Sequence, residues 1–468
     1  MKKVLRNKIL CIVLALALIV GLSVSTLAAQ APRGSTGEPM DVSYWMNRGM
    51  WRMIYTVPNP GFGTLAGEWT VLTLARAGFE VPGGYFDIYL ENIRDMMRTL
   101  EDRTDPNDDS QGWVLNPNTG RREVRLGNPV QSTENVRLII ALTALGVDAS
   151  DFVVDGHSYD LVSVLNNRQN ATSMAMYGEN QGINGPIWSQ IALDSRSWDN
   201  PYQPSSRDWV GGTTASHPVT NAVRLQWILD VQLPNGAWDL ENPFPGANLS
   251  APGDANMTAM AIQALAPHRD FQGVEAAIEA GMNYLAATQL PNGGWESWGT
   301  DNVQSAAQVV VAMVALGMDP VNHPMFVQST GNPVSTLMRF FDPVTGGFTH
   351  AGGDDLMAND QGTYALVAYT RFVSGQPSLY DMRDANPDFL TPHIIPENGQ
   401  GGGGYLLGDI NDDGEVDGRD VIALRRYILE LPPVGELNSD RRAFHVAGNS
   451  SIDGRDVIAL RQLILAQE

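Results

Sequence analysis

The segment that most constrains the fold is a twelve-residue loop near the C-terminus, Asp409–Asp420. It places oxygen-bearing groups at its first, third, fifth, seventh, ninth and twelfth positions, and Gly414 stands at the sixth, where the chain has to turn sharply. A hard cation such as Ca²⁺ needs oxygen ligands in this spacing. We therefore predict a Ca²⁺ site whose ligands are Asp409, Asn411, Asp413, Glu415, Asp417 and Asp420.

A second copy of the unit follows, because Val416–Arg425 reappears as Ile452–Arg461. In both copies the apolar residues after the loop recur at helical spacing, so each unit is a loop followed by one helix. The second loop carries His445 and Ala447 at its first and third positions and thereby loses two oxygen ligands. We expect one good Ca²⁺ site and a second that is weak or empty, with the remaining ligands Asn449, Asp453 and Asp456.

This tandem loop–helix pair resembles a type I dockerin over about Gly408–Glu468. The resemblance implies Ca²⁺-dependent, non-covalent docking onto a cohesin domain of a scaffold protein, as in a cellulosome-like complex. In that family the tenth and eleventh loop positions and basic residues on the following helix face the cohesin. Here these residues are Gly418, Arg419, Arg425, Arg426, Gly454, Arg455 and Arg461.

The N-terminal residues 1–31 have the features of a signal peptide. Four basic residues precede an apolar run from Ile9 to about Val20, and small residues follow it. No later apolar run is long enough to span a bilayer, so we expect a secreted protein in an extracellular or cell-surface complex. A single N-terminal membrane anchor is the alternative. The only cysteine, Cys11, lies in this segment, which excludes disulfides and Cys–metal sites from the exported chain.

The dispersed formal charge of −22 argues against a nucleic-acid partner, because phosphate binding requires clustered Lys and Arg. Between the N-terminal segment and the loops, the motif Q-L-P-N-G-x-W occurs twice, at Gln232–Trp238 and Gln289–Trp295. Each copy ends a helical pattern and a second helical pattern follows it. Apolar helical patterns recur in pairs along this part of the chain and indicate six stacked helical hairpins. One of the predicted partner helices is Tyr159–Leu165.

These turns resemble the QW repeats of the α/α toroid superfamily, which contains terpene cyclases, protein prenyltransferase β-subunits and cobalamin-carrying proteins. The predicted fold class is therefore all-α, an (α/α)6 toroid of helical hairpins plus a small C-terminal tandem loop–helix dockerin. The predicted domains are a signal peptide (1–31), the terpenoid cyclase/prenyltransferase-like toroid (32–380), a Gly-rich linker (381–407) and the dockerin (408–468). Trp238 and Trp295 are interpreted as packing staples rather than sugar platforms.

The chemistry of the toroid families does not transfer. The segment that matches the cyclase acid motif has Asn256 and Met257 in place of its later acids, and an amide cannot donate a strong acid's proton. Nearly every helix that follows such a turn opens with an acid or amide. If these helices run parallel, their acids and amides lie together at one mouth of the ring. Paired carboxylates are what glycoside cleavage uses, although single acids at helix starts are usually N-caps. The candidate catalytic residues are Glu68, Glu134, Asp254, Asp301, Asp355 and Asp360.

The sequence thus predicts a cellulosome-like component that docks onto a cohesin scaffold and acts in polysaccharide degradation by cleaving glycosidic bonds, with Ca²⁺ as cofactor. Two alternatives stay open: a toroid that binds a carbohydrate, corrinoid or other small molecule without catalysis, or a divergent terpene cyclase-like enzyme.

Overall fold

The computed structural model describes residues 42–385, apart from 64, 66, 80, 82–83, 103–110, 117–118, 128–131, 167–180, 197, 199–219 and 243–245, together with 408–410, 414–416, 418–428, 446, 457, 459–460 and 464. The described helices are α1 (Val42–Thr56), α2 (Glu68–Ala77), α3 (Tyr85–Arg98), α4 (Ser132–Ala144), α5 (Asn184–Asp194), α6 (Asn221–Asp230), α7 (Ala255–Leu265), α8 (Val274–Thr288), α9 (Val303–Ala315), α10 (Pro333–Arg339), α11 (Leu356–Val373) and α12 (Gly418–Ile428). The strands are β1 (Gly112–Leu115), β2 (Arg122–Arg125), β3 (Phe152–Val154), β4 (His157–Asp160), β5 (Glu296–Ser297), β6 (Thr300–Asp301), β7 (Phe341–Asp342), β8 (Gly347–His350) and β9 (Gly353–Asp354).

Six helices form a closed cycle of contacts at the centre of the main domain. Helix α2 packs on α4, α4 on α5, α5 on α7, α7 on α9, α9 on α11, and α11 returns to α2. These helices are apolar around most of their circumference, and nearly every residue of α9 is buried. A helix that is apolar on all sides is stable only inside a core, so the six helices cover one another and the remaining helices cover them from outside.

The six helices run parallel, because starts contact starts and ends contact ends. Near the starts of α7 and α9, the Ser297 hydroxyl donates to Asp254 Oδ2 over 2.5 Å. At the ends of α11 and α2, Arg371 Nη1 donates to the carbonyl oxygen of Arg76 over 2.8 Å. The cycle therefore has one mouth lined by helix starts and an opposite mouth lined by helix ends.

The predicted all-α class, with its (α/α)6 toroid of helical hairpins, is wrong. The described residues combine the helices with three small sheets, of four, two and three strands. The predicted partner helix at Tyr159–Leu165 is instead the end of β4 followed by a 3-10 turn at Ser163–Asn166. In the four-stranded sheet, β2 pairs antiparallel with β1 and parallel with β4. The architecture is mixed, with sheets inserted where hairpin helices were expected.

Three two-residue hairpin turns build these sheets. The turn residues are Asp155-Gly156 between β3 and β4, Trp298-Gly299 between β5 and β6, and Ala351-Gly352 between β8 and β9. All six have positive φ, as a type I′ turn demands, and the first residue of each pair is a non-glycine that tolerates the left-handed conformation.

The two Q-L-P-N-G-x-W motifs fold in the same way. Trp238 Nε1 donates to the carbonyl oxygen of Ile228 and Trp295 Nε1 to that of Leu285, both over 2.7 Å. Gln232 and Gln289 each donate from Nε2 to the carbonyl oxygen of the glycine four residues later. Both tryptophans have no exposed surface, so they tie the turn to the preceding helix and offer no face to a sugar.

A separate small core belongs to the C-terminal unit. It contains apolar residues from the loop, from α12 and from the second copy: Ile410, Ala423, Leu424, Val446, Val457, Ala459 and Leu460. The predicted signal peptide lies outside the described residues. Among the residues that are described, none of the helices combines the length and apolar character that crossing a bilayer requires.

Replacing the glycine of the first Q-L-P-N-G-x-W motif is predicted to cause a large loss of stability. Gly236 has φ 90°, and a Cβ there would lie 2.5 Å from the carbonyl oxygen of Ala280. Gly246 has a similar φ of 76° with nothing within 4 Å of its Cβ position, and it serves as the matched control. We expect Gly246→Ala to cost about 1 kcal/mol of unfolding free energy through backbone strain, and Gly236→Ala to cost roughly 3 kcal/mol because a steric clash is added. Equal losses in denaturant titrations would contradict the role of the close approach.

Candidate functional site

The six candidate acids separate into two groups. Four of them have structural partners: Asp254 and Asp355 cap α7 and α11 by accepting from the backbone N–H groups of Met257 (2.9 Å) and Ala358 (2.6 Å). Glu134 forms an ion pair with Arg137, and Asp301 one with Arg339. Glu68 and Asp360 remain as the buried acids without a cationic hydrogen-bond partner in the described part of the chain.

Glu68 lies at the start of α2 and is 1% exposed. Its Oε1 accepts a hydrogen bond from the backbone N–H of Gly63 over 2.9 Å, whereas its Oε2 is buried with no partner among the described residues. Burial raises the pKa of Glu68 from 4.5 to about 7, and the nearby Arg137 guanidinium limits the rise. The carboxyl of Glu68 is thus close to half-protonated at neutral pH.

Asp360 lies in the second turn of α11 and is 9% exposed. Burial raises its pKa from 3.8 to about 8, and the negative charges of Asp355 and Glu68 add to the rise. Because α11 packs on α2, the two acids lie at the same mouth of the helix cycle and repel each other when both are ionised. Such a pair holds one proton over a pH range near neutrality and releases it as a coupled unit.

Aromatic rings line the interior beside these acids. Trp69 of α2 meets Trp188 of α5 with ring centroids 5.4 Å apart, and Tyr364 of α11 lies 6.0 Å from Trp69. Tyr89 is fully buried, its hydroxyl has no partner among the described residues, and the Glu68 charge contributes to raising its pKa. The site can therefore supply a proton donor, a carboxylate and a neutral phenol in an apolar setting.

Two further residues of the site, Trp298 and Arg137, were not predicted from the sequence. Trp298 is 78% exposed at the tip of the β5–β6 hairpin, which leads directly into the start of α9 at the same mouth. Its turn type is signalled by the glycine that follows it, but the flanking strands are only two residues long and give no period-2 pattern. Arg137 was also missed, because its position beside Glu68 depends on the packing of α4 against α2.

The calcium loop is described in part. Asp409 is 3% exposed and Asp420 is fully buried. Asp409 Oδ2 accepts from the N–H of Gly414 over 3.0 Å, and Asp420 Oδ1 accepts from the N–H of Ile410 over 2.8 Å, which ties the two ends of the loop together. Gly414 has φ 82°, as the sharp turn at the sixth position requires. Two buried carboxylates in an oxygen-rich loop fit a hard divalent cation, whose charge offsets the cost of their burial.

The other loop predictions are tested only in part. Within the described residues no group of three or more His, Cys, Asp or Glu side chains is placed to hold a metal ion. Three ligands of the first loop and all three of the second lie outside those residues: Asn411, Asp413, Asp417, Asn449, Asp453 and Asp456. Of the predicted cohesin contacts, Arg419 is described, and its exposed side chain donates to Glu415 over 2.6 Å. Gly454, Arg455 and Arg461 lie outside the described residues, as do the side chains of Arg425 and Arg426.

Comparison with known families bears on the C-terminal unit. Residues 407–465 match the family described as the Dockerin type I domain. Such domains bind calcium through EF-hand-like loops and dock onto cohesins, and the proteins that carry them are extracellular cellulosome components. The match confirms the predicted dockerin, its Ca²⁺ cofactor and its cohesin partner. No curated protein matches the chain.

The raised pKa of Glu68 predicts a pH-dependent gain in stability on its replacement. The folded-state pKa of about 7 lies above the ordinary glutamate pKa of 4.5, so the native state loses stability as pH rises from about 4.5 to 7. Glu68→Gln keeps an acceptor for the Gly63 N–H and removes the charge. We expect the change in stability caused by Glu68→Gln to be about 2 kcal/mol more stabilising at pH 8 than at pH 5.

Chemical denaturation at the two pH values measures this difference. Glu275→Gln is the control, because Glu275 is exposed and paired with Arg269. The control should show little change between the two pH values. A Glu68→Gln effect that is equal at pH 5 and pH 8 would contradict the raised pKa.

The first calcium loop is predicted to be the tight one. Asp420→Asn keeps a shape and an acceptor for the Ile410 N–H but removes a negative charge from the loop. We expect it to weaken the tight Ca²⁺ site by at least about tenfold, because cation affinity follows ligand charge. Asp456→Asn, the equivalent change in the second loop, should leave the tight site within about twofold. Calorimetric titration that finds two equally tight sites in the parent protein would contradict this assignment.

Proposed function

We propose that this dockerin-bearing protein acts in polysaccharide degradation, and that its main domain cleaves glycosidic bonds with Asp360 as general acid and Glu68 as base or nucleophile. The observation that carries the proposal is the buried carboxyl pair at one mouth of the helix cycle, with pKa values raised to about 7 and about 8. Glycoside cleavage needs one protonated and one ionised carboxyl, and unequal environments are the means by which proteins separate such roles.

The two roles follow from the neighbouring charges. Arg137 favours the ionised form of Glu68, whereas Asp355 favours the protonated form of Asp360. Glu68 therefore ionises first, and its negative charge further holds the proton on Asp360.

A polymeric substrate is supported by the surface around this mouth. Trp298 presents a largely exposed indole at the tip of the β5–β6 hairpin, and its residue lies next to Ser297, which contacts Asp254 at the start of α7. Exposed aromatic faces pack against the apolar faces of sugar rings. We assign Trp298 as a contact for a sugar unit outside the cleavage site.

The docking surface remains the one that the dockerin resemblance implies. We propose that the Gly-Arg pairs of the two copies, Gly418-Arg419 and Gly454-Arg455, and the helix residues Arg425, Arg426 and Arg461 contact the cohesin. The exposed side chain of Arg419 supports this proposal for the first copy.

The activity is tested with the full-length protein in Ca²⁺, by measuring reducing-end release from a panel of plant polysaccharides. Asp360→Asn and Glu68→Gln should each lower kcat by about 10²–10⁴-fold, the range typical of general acid–base catalysis. The rate should be bell-shaped in pH, with limbs near the two pKa values of about 7 and about 8. Trp298→Ala should raise KM on long chains with a smaller change on short oligosaccharides.

One control variant and the behaviour of the parent protein separate the outcomes. Glu275→Gln removes an exposed carboxylate and should leave the rate unchanged. Blank results for the parent protein across the panel, or full activity in Asp360→Asn, would overturn the proposal. Saturable oligosaccharide binding without cleavage would assign the main domain as a binding module instead.

A further inference from the structure

A cavity of about 230 Å³ lies at the opposite mouth of the helix cycle, where the helices end. Residues from the last turns of α5, α7 and α9 form one side of it, including Ile191, Gln263 and Val311. The segment after α11 forms the other side, with Tyr380 and Asp381. This cavity is separate from the Glu68–Asp360 pair, because parallel helices put their starts and ends at opposite mouths.

Gln263 offers an unused hydrogen-bond acceptor in this wall. Its Nε2 donates to the backbone carbonyl oxygen of Gln308 over 2.9 Å, and a carbonyl accepts only, so the amide orientation is fixed. The Oε1 of Gln263 is buried and has no partner among the described residues. A buried acceptor left without a donor is costly, and a bound ligand that donates a hydrogen bond would remove that cost.

Asp194 supplies a second acceptor, and this one is charged. His268 Nε2 and Gln190 Nε2 both contact Oδ2 of Asp194, at 2.7 Å and 2.9 Å. No described residue hydrogen-bonds to Oδ1 of Asp194. The Arg224 guanidinium lies behind Gln190, donates to its Oε1 over 3.0 Å, and does not line the cavity.

The remaining charges of the wall favour a cation or are already paired. Asp194 ends α5 and Ala315 ends α9, and helix C-termini carry partial negative charge. The donors of Arg383 are directed at Asp381, with Nε 2.7 Å from Oδ1, so this pair contributes little net charge. Tyr380 also lines the cavity, and aromatic rings attract cations.

We propose that this cavity binds a small organic ammonium ion with an apolar body, the ammonium donating to Asp194 Oδ1 and Gln263 Oε1. A volume of 230 Å³ is many times the roughly 10–15 Å³ that one water molecule needs, so a ligand of about eight non-hydrogen atoms fits. Ile191, Val311 and Ala315 contact the apolar body. The site is independent of glycoside cleavage, because it shares no residue with that site.

Binding of benzylamine, which is an ammonium ion at pH 7, tests the proposal in the full-length protein. Benzyl alcohol is the neutral probe of the same size. In ligand-observed NMR titrations, benzylammonium should bind at least tenfold more tightly than benzyl alcohol. Asp194→Asn keeps an acceptor for His268 and Gln190 and removes the charge, and should weaken benzylammonium binding at least tenfold.

Glu275→Gln is the matched control, because it removes one exposed carboxylate and should change the affinity less than twofold. Should Asp194→Asn lower the melting temperature, Gln263→Leu and the comparison of the two probes on the parent protein decide the matter. Equal affinity for benzyl alcohol and benzylammonium, absence of saturable benzylammonium binding, or unchanged binding in a folded Asp194→Asn variant would each overturn the proposal. Loss of polysaccharide cleavage would leave it unaffected.

Discussion

The parallel packing of six apolar helices is the constraint from which the chemistry of the main domain follows. Since all six run in one direction, their polar first residues gather at one mouth, and the carbonyl ends gather at the other. Apolar contact between helices holds the cycle together, and the same contact removes water from acids at the mouth. Glu68 is the first residue of α2 and Asp360 lies in the second turn of α11, and burial is the largest cause of the raised pKa of each. The opposite mouth includes two hydrogen-bond acceptors that no described residue satisfies, Gln263 Oε1 and Asp194 Oδ1.

The turns decide how such a cycle closes. Each Q-L-P-N-G-x-W motif satisfies its own backbone through the glutamine and its tryptophan through a carbonyl ten residues earlier. The segment Asp342–Phe348 (D-P-V-T-G-G-F) is a weaker copy of the motif that lacks both the Gln and the Trp, and it forms the β7–β8 hairpin instead. Phe348 is nevertheless fully buried and packs edge-on against Phe341. The aromatic at the end of the turn is therefore retained for packing even where the helix–turn geometry is replaced by strands.

The sequence predicts the helices of the cycle well and the sheets poorly, for physical reasons. A long apolar pattern such as that of Val303–Leu316 has one stable environment, and it predicts a helix over those residues that agrees within one residue with α9, Val303–Ala315. The segment 152–165 has β-branched and aromatic residues around Asp155-Gly156, a standard hairpin signal, but the repeat pattern favoured a helix there. The six acids looked equivalent because each stands near a helix start. Whether an acid caps its helix or is buried depends on its position along the chain: Asp355 is the N-cap of α11, and Asp360, five residues later, is buried inside the same helix.

Magnitudes show why burial, and not the helix dipole, determines the state of the acid pair. The partial positive charge at a helix start stabilises a carboxylate by about 0.3–1 kcal/mol and would lower the pKa of Glu68. The pKa of Glu68 instead rises from 4.5 to about 7, and at about 1.4 kcal/mol per pKa unit that rise corresponds to roughly 3 kcal/mol in the opposite direction. Desolvation therefore exceeds the dipole and the Arg137 charge together. Other acids at the same mouth already cap the helices. The two buried acids destabilise the fold, and they place a proton donor there that helix capping does not require.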